Sequence, residues 1–467
     1  MKKFLQRGLW LAAVLAAVAV SAGSAGAAPD LFGGATSTAG GLATYDADQI
    51  NVERVSQTGK GVYVAVLDTG MVPNWRDYFP DQRVAENLGT GFEQAVTFKS
   101  GGEDPCTFTA EVGTLRESSW VGSTGPSGSH GTHVASTILG YYYDANADTS
   151  GGFPMPPVIV RGIAQEATVI PVRVLADYQM PARPDCDDPD EDTSSHTVNF
   201  GTDAMIAAGI NYVTGLAKKG YRPMVINMSL GGDELADIEK QAIDNAIKAG
   251  VVVVAAAGND GEAGMHFPGA YEPVISAGAS GWAKEWLIPG NGPRYRLWWL
   301  QGSVGSLLPG SGEVAEPTPV EDVFVASFSS RAYPGQDLDV LAPGNWVRGP
   351  FGGDPGFSHL PWWSKGLGDV RGLNPGNFYY VGGTSMATPH VSAAAAMLLQ
   401  KKPSLTQAQV DSLLTSTALR ISRSGSMPFY DFDHASTISW DTNCGGTRCD
   451  AVGSGLLQVD KAIAATR

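Results

Sequence analysis

The chain reads as an α/β protein: a doubly wound, mostly parallel β-sheet with helices on both faces, carried by a single domain with long loop insertions. Three observations predict this. Five apolar runs, VYVAVLD (62–68), ATVIPVRVL (167–175), PMVINMSL (223–230), VVVVAAAG (251–258) and VISAGA (274–279), are rich in β-branched residues and bounded by glycine or polar residues. Continuous runs of that kind suit strands buried on both faces of a parallel sheet. Between them, 202–219 and 234–249 alternate apolar and polar residues near a 3.6-residue period, with Gly220 and Gly250 as stop signals. Alternating strand and helix patterns predict a sheet covered on both sides, with ligands bound at the carboxyl ends of the strands.

The elements before the first strand define a compartment. Lys2, Lys3 and Arg7 precede an apolar stretch, Gly8 to Val20, too short to span a bilayer, and Ala25-Gly26-Ala27 offers small residues for cleavage. Residues 1–27 are therefore expected to be a signal peptide, and the protein to be secreted (extracellular or periplasmic) with no stable membrane anchor. Residues 28–57 are polar and rich in Gly and Ala, which predicts a mobile N-terminal arm or a short prosegment. The domain proper is expected over 58–467, with insertions near 89–128, 177–200, 281–321 and 349–377. The net charge of −16 lacks the basic footprint that phosphate binding requires, so nucleic acid is excluded as a partner. A monomer is expected.

Four cysteines in an oxidising compartment predict two disulfides. The tight loop Cys444-Gly-Gly-Thr-Arg-Cys449 favours local closure, leaving Cys106 with Cys186; no Cys-x-x-Cys spacing speaks for zinc.

The chemistry-bearing residues fall at strand ends and one helix start. Asp68 closes the first strand in VAVLDTG (64–70). An Asp-Thr-Gly triplet also suits an aspartic peptidase, but no second Asp-Thr/Ser-Gly supplies the partner carboxylate. SHGTHVA (129–135) holds His130 and His133 at the start of an apolar run, without the His-Glu-x-x-His spacing of a zinc peptidase. In GGTSMATPHV (382–391), Ser385 opens an almost wholly apolar helix, its hydroxyl at the positive end of the dipole among free N–H groups. Asn259 follows a buried strand and can serve as a neutral donor to a developing oxyanion. Nucleophile, base, orienting carboxylate and oxyanion donor are the inventory of acyl transfer.

VAVLDTG, HGTHVAS (130–136), NMSLGG (227–232), AAAGN (255–259) and GGTSMATPHV, in that order, resemble the signatures of the subtilisin-like serine peptidases, the subtilase family. The resemblance covers most of 50–280, 323–346 and 378–465. It implies that Ser385 is the nucleophile, His130 the base with His133 an interior companion, and Asp68 the group that orients the imidazole. Asn259 and the N–H of Ser385 would hold the oxyanion. Ser229, Leu230 and Gly231 would pair with an extended substrate, and Ala256, Ala257 and Gly258 would wall the pocket for the residue preceding the scissile bond. Protein or peptide substrates are implied, with no cofactor required for the chemistry. A narrow-specificity processing or peptide-ligating enzyme, or a catalytically silent binding relative, are the alternatives.

Four departures qualify the match. Only 28–67 lies between the signal segment and Asp68, too short for a substantial prosegment. Asp77 stands nine residues after Asp68, where the family places a calcium-ligating Asp; its partners would come from a rewritten loop offering Asp144, Asn146 and Asp148, so a structural Ca2+ is an expectation. Met265-His266 replaces a small residue at the pocket floor. The acidic run DCDDPDED (185–192) reads first as a solubilising loop or ion site, with steering of basic peptides toward the adjacent cleft as the alternative.

Overall fold

In the computed structural model, residues 31–467 are described except 101–107, 124–125, 144–157, 183–193, 286, 289–291, 294–313, 316, 352–377 and 431–434. The first apolar run forms β1 (Tyr63–Asp68), buried from Val64 to Asp68. Eight further strands build one sheet around it: β2 (Thr90–Glu93), β3 (Arg116–Ser118), β4 (Thr168–Arg173), β5 (Met224–Met228), β6 (Val252–Ala256), β7 (Ile275–Trp282), β8 (Val323–Val325) and β9 (Val340–Pro343). The order is β8-β7-β6-β5-β1-β4-β2-β3, with β9 also against β7. Only the edge pairings β7–β8 and β2–β3 are antiparallel.

Strand periodicity sorts the residues of each run onto two faces. Val64 and Val66 of β1, with Val252 and Val254 of β6, join a core that includes helices α2 (Pro126–Leu139) and α5 (Thr384–Lys401). Ala65 and Leu67, with Val253 and Ala255, join a second core with α3 (Asp203–Lys218) and α4 (Asp237–Lys248). The doubly wound fold is thus present: of the sequence-predicted helices, α3 and α4 lie on one face and α5 on the other. Thr202 caps α3 by accepting from the N–H of Met205 at 3.3 Å.

Two expectations are revised. The stretch 89–128 is not merely a surface insertion: β2 and β3 complete the sheet edge, and α2 starts within it at Pro126. Short edge strands with exposed Arg116 and Glu117 carry no continuous apolar run, so the pattern that reveals buried strands does not reveal them. Nor is the arm a mobile one over its described part. A short helix, α1 (Tyr45–Gln49), is buried at every position. Tyr45 stacks on Trp282, Asp48 accepts from the N–H of Val314 at 2.8 Å, and Asn51 donates to Gln458 at 2.9 Å. Asp46 meets Nε2 of His390, on α5, at 3.0 Å. The polar residues that suggested mobility are those that tie the segment down.

Cys444 and Cys449 are joined as a disulfide; Cys106 and Cys186 lie outside the described residues, as do residues 1–27, expected to be a signal segment, the acidic run 185–192 and most of 349–377. No described helix is long and apolar enough to cross a membrane.

Burial alone would raise the pKa of Asp46, but the hydrogen bond and charge of His390 outweigh it and hold the carboxyl below its ordinary value. A group shifted down stabilises the fold above its unfolded pKa, about 3.9, and that contribution is lost as pH falls through the folded value. Asp46→Ala is expected to cost about 3 kcal/mol at neutral pH, the usual order for breaking a buried pair. Denaturant midpoints of variant and wild type should converge below about pH 4; a gap that persists unchanged to pH 2 would contradict the assignment.

Candidate active site

β1 carries the Asp68 carboxylate, fully buried, to its carboxyl end. An anion there requires compensation. The N–H of Thr69 donates to Oδ1 at 2.7 Å, and Nδ1 of His130 lies 2.8 Å from Oδ1 and 3.0 Å from Oδ2. The helix bearing His130 can come this close because of two glycines. A Cβ on Gly131 would stand 2.3 Å from the carbonyl oxygen of Gly70, and one on Gly70, at φ +80°, would stand 2.0 Å from that of Trp120. Thr69 locks the approach, its hydroxyl accepting from the N–H of Gly131 at 2.9 Å and donating to the carbonyl of Gly128 at 3.2 Å.

Burial disfavours a charged His130, but the attraction and hydrogen bond of Asp68 together outweigh it, so the imidazole pKa lies above its ordinary value. With Nδ1 engaged, Nε2 is left for proton transfer, and the ring retains 26% exposure toward solvent. His133, one turn on, is fully buried, its Nε2 3.1 Å from the carbonyl of Val347. The two histidines thus differ in surroundings: His130 stands beside a carboxylate, and His133 lies in the interior.

Ser385 is the second residue of α5, after Gly383 as N-cap. Pro389 occupies the position whose N–H would ordinarily reach the Ser385 carbonyl. That carbonyl instead accepts the Ser229 hydroxyl at 2.8 Å. The Ser385 hydroxyl in turn donates to the Ser229 carbonyl at 3.1 Å. Among the described residues no hydrogen bond joins Ser385 to His130, so the hydroxyl has to turn from Ser229 for the pair to act; such bonds often tighten only with substrate. A buried chain backs Ser229: Ser392 donates to Asn227 at 2.8 Å, and Asn227 to Ser229 at 3.0 Å.

Asn259 lies three residues past β6, exposed, and its orientation is fixed through its oxygen. Oδ1 accepts from the N–H of Thr384 at 2.8 Å and from its hydroxyl at 3.0 Å. The amide NH2 and the N–H of Ser385 make no hydrogen bond with a described residue, which leaves both donors for a ligand. The sequence marks Ser385 as the helix start, whereas the helix begins at Thr384, whose aiming of Asn259 depends on a contact across 125 residues.

Leu230 and Gly231 continue beyond β5 with backbone groups that no described residue pairs, until Gly232 and Phe267 exchange two bonds of 2.8 Å. Ala256 and Ala257 are buried, and Gly258, at φ +106°, donates to the Thr384 hydroxyl at 3.2 Å. His266 donates its N–H to the carbonyl of Ala257. The bonds of Phe267 to Gly232 and of His266 to Ala257 tie the three segments together. Asp77 sits apart and exposed, accepting from Asn74 at 3.0 Å.

A mostly parallel α/β sheet with a carboxylate–imidazole pair and a helix-start serine at its carboxyl edge defines a hydrolase of the acyl-transfer class. The Subtilase family model matches residues 59–446. Subtilisin DY of Bacillus licheniformis is 30% identical over 297 residues, 62% of this chain and 71% of its own. The extracellular serine proteinase of Thermus sp. (strain Rt41A) is 28% identical over 358 residues, 76% of this chain and 55% of its own. This chain thus spans only about half the length of some relatives. The solved structure of sphericase shares the fold at a TM-score of 0.50 and 22% identity, covering 88% of this chain and 96% of that one. The chain belongs to the subtilase family and, by that membership, is a serine endopeptidase.

The raised His130 pKa gives a signed prediction. A base must be neutral, so kcat/KM should rise with pH through a midpoint above about 6.5. Asp68→Asn should lower kcat about 10^4-fold near neutrality. A pH–rate profile with its acid limb below the ordinary histidine value would contradict the pairing.

Proposed function

We propose that the chain is a secreted serine endopeptidase that cleaves peptide bonds through an acyl-enzyme on Ser385. The observation that carries the reading is the paired placement of His130 on the buried Asp68 carboxylate, with Ser385 at the head of α5. In this reading His130 takes the Ser385 proton as the hydroxyl attacks, and the paired carboxylate stabilises the imidazolium that forms. The proton then passes to the leaving amine, and water repeats the sequence on the ester. The Asn259 amide and the Ser385 N–H stabilise the oxyanion at each tetrahedral stage. The unpaired backbone of Leu230 and Gly231 receives the substrate as an added strand. Secretion rests on residues 1–27, and the domain on 58–467.

A structural calcium ion at Asp77 belongs to the same reading. Its exposed carboxylate is a hard oxygen donor. Asp144, Asn146 and Asp148, the remaining donors in this proposal, lie outside the described residues. Calcium is expected to raise the melting temperature by a few degrees and EGTA to reverse the rise; no difference between the two conditions would remove Asp77 from the reading.

The peptidase itself is tested by labelling mature protein with a fluorophosphonate probe and mapping the adduct. One adduct on Ser385 is expected, lost in Ser385→Ala and in His130→Ala. A folded protein that acquires no adduct would point to the silent binding relative.

A further inference from the structure

Asn259 is held by more than its side chain. One segment, 326–332, clamps the backbone on both sides of it and has no part in the mechanism above. The N–H of Ser330 donates to the carbonyl of Gly258 at 3.0 Å, and the Ser330 hydroxyl accepts from the N–H of Asp260 at 3.1 Å. A single residue thus grips the chain immediately before and immediately after Asn259. The grip extends one residue on: Gly261 donates to the carbonyl of Phe328 at 2.8 Å and accepts from the N–H of Arg331 at 2.9 Å. The approach needs a glycine, since a Cβ on Gly258 would stand 2.8 Å from the Ser330 hydroxyl oxygen.

The clamp is itself anchored at both ends. Ala326 donates to the carbonyl of Ala279 in β7, and the Ser329 hydroxyl accepts from the N–H of Ala279, each at 3.0 Å. At the other end Ala332 and Asp450 exchange two bonds of 2.8 Å, one residue past the Cys444–Cys449 disulfide. Between them the buried guanidinium of Arg331 donates to the carbonyls of Ala326 and Ser329, closing the turn on itself. Ser330 has no exposed surface.

We propose that Ser330 is a positioning residue for the oxyanion: by fixing the backbone at 258 and 260 it sets where the Asn259 amide points. The inference rests on the peptidase reading above, in which Asn259 is an oxyanion donor. Thr384 holds that side chain at Oδ1 alone, which fixes its far end and leaves its root to the loop. Gly258 and Gly261, both at positive φ, give that loop wide backbone freedom. A donor aimed at a developing charge tolerates little displacement, and a misplacement of about 1 Å can cost about 10^2-fold. Ser330 removes the freedom at the two peptide units that carry Asn259.

The test is a double-mutant cycle on kcat and KM for one peptide amide, with Ser330→Ala, Asn259→Ala and the two combined. Asn259→Ala is expected to lower kcat about 10^2-fold or more. Ser330→Ala should lower kcat about tenfold while KM moves less than about twofold, because the lost interaction is made only in the transition state. In the Asn259→Ala background, Ser330→Ala should change kcat by less than about twofold. A residue that served only the stability of the fold would act alike in both backgrounds. A loss of kcat of equal size with and without Asn259, or none in Ser330→Ala, would therefore overturn this inference alone. Ser330→Cys keeps the shape of the side chain but offers a weak acceptor. It is expected to lower kcat in the same background-dependent way, and it carries the cycle where the alanine variant fails to fold. Wild type that neither cleaves the peptide nor takes an adduct on Ser385 would overturn the peptidase reading and this inference with it.

Discussion

A carboxylate with no access to water, Asp68, sets the terms for the rest of the structure. An isolated buried charge of this kind is too costly to persist, so the sequence around it is occupied with compensating it. Thr69 contributes an N–H, His130 a ring nitrogen, and Gly70 and Gly131 the absence of side chains that would keep the helix away. The demand for a partner, not a propensity of residues 126–139, fixes where α2 crosses the strand ends. The imidazole so recruited becomes more basic than in water, which joins a stability requirement to a chemical one.

The nucleophile is positioned by a different device. A proline one turn into α5 leaves a carbonyl unclaimed, and Ser229 claims it. The chain just past strand β5 and helix α5 are thereby fastened at Ser385. Thr384 fastens β6 to the same helix start through Asn259. Two chain segments distant in sequence converge on one helix terminus, each through a hydrogen bond to its first residues.

Much of this was legible in the sequence. Buried parallel strands announce themselves as unbroken β-branched runs, and Asp68, His130, Asn259 and Ser385 each stand at the end of a run or the start of a helix. Legibility ended where side-chain contacts over long separations decide. The edge strands β2 and β3 carry polar residues and no apolar run. The arm looked mobile because Asp46, Asp48 and Asn51 are polar, yet each is held by a partner far along the chain. His266 was recognisable as a departure at the pocket floor, but its carboxylate neighbours, 6 residues away for Asp260 and farther for Asp233, became a cluster only in three dimensions.

The arm has a consequence for assembly. Asp46 and His390 are 344 residues apart, and Asn51 reaches Gln458 across 407. Contacts of such separation are closed late and slowly, because the loop entropy is spent before any contact repays it. The Asp46 contact with the helix that bears Ser385 therefore cannot form before both segments are present. A truncated or half-synthesised copy lacks that contact.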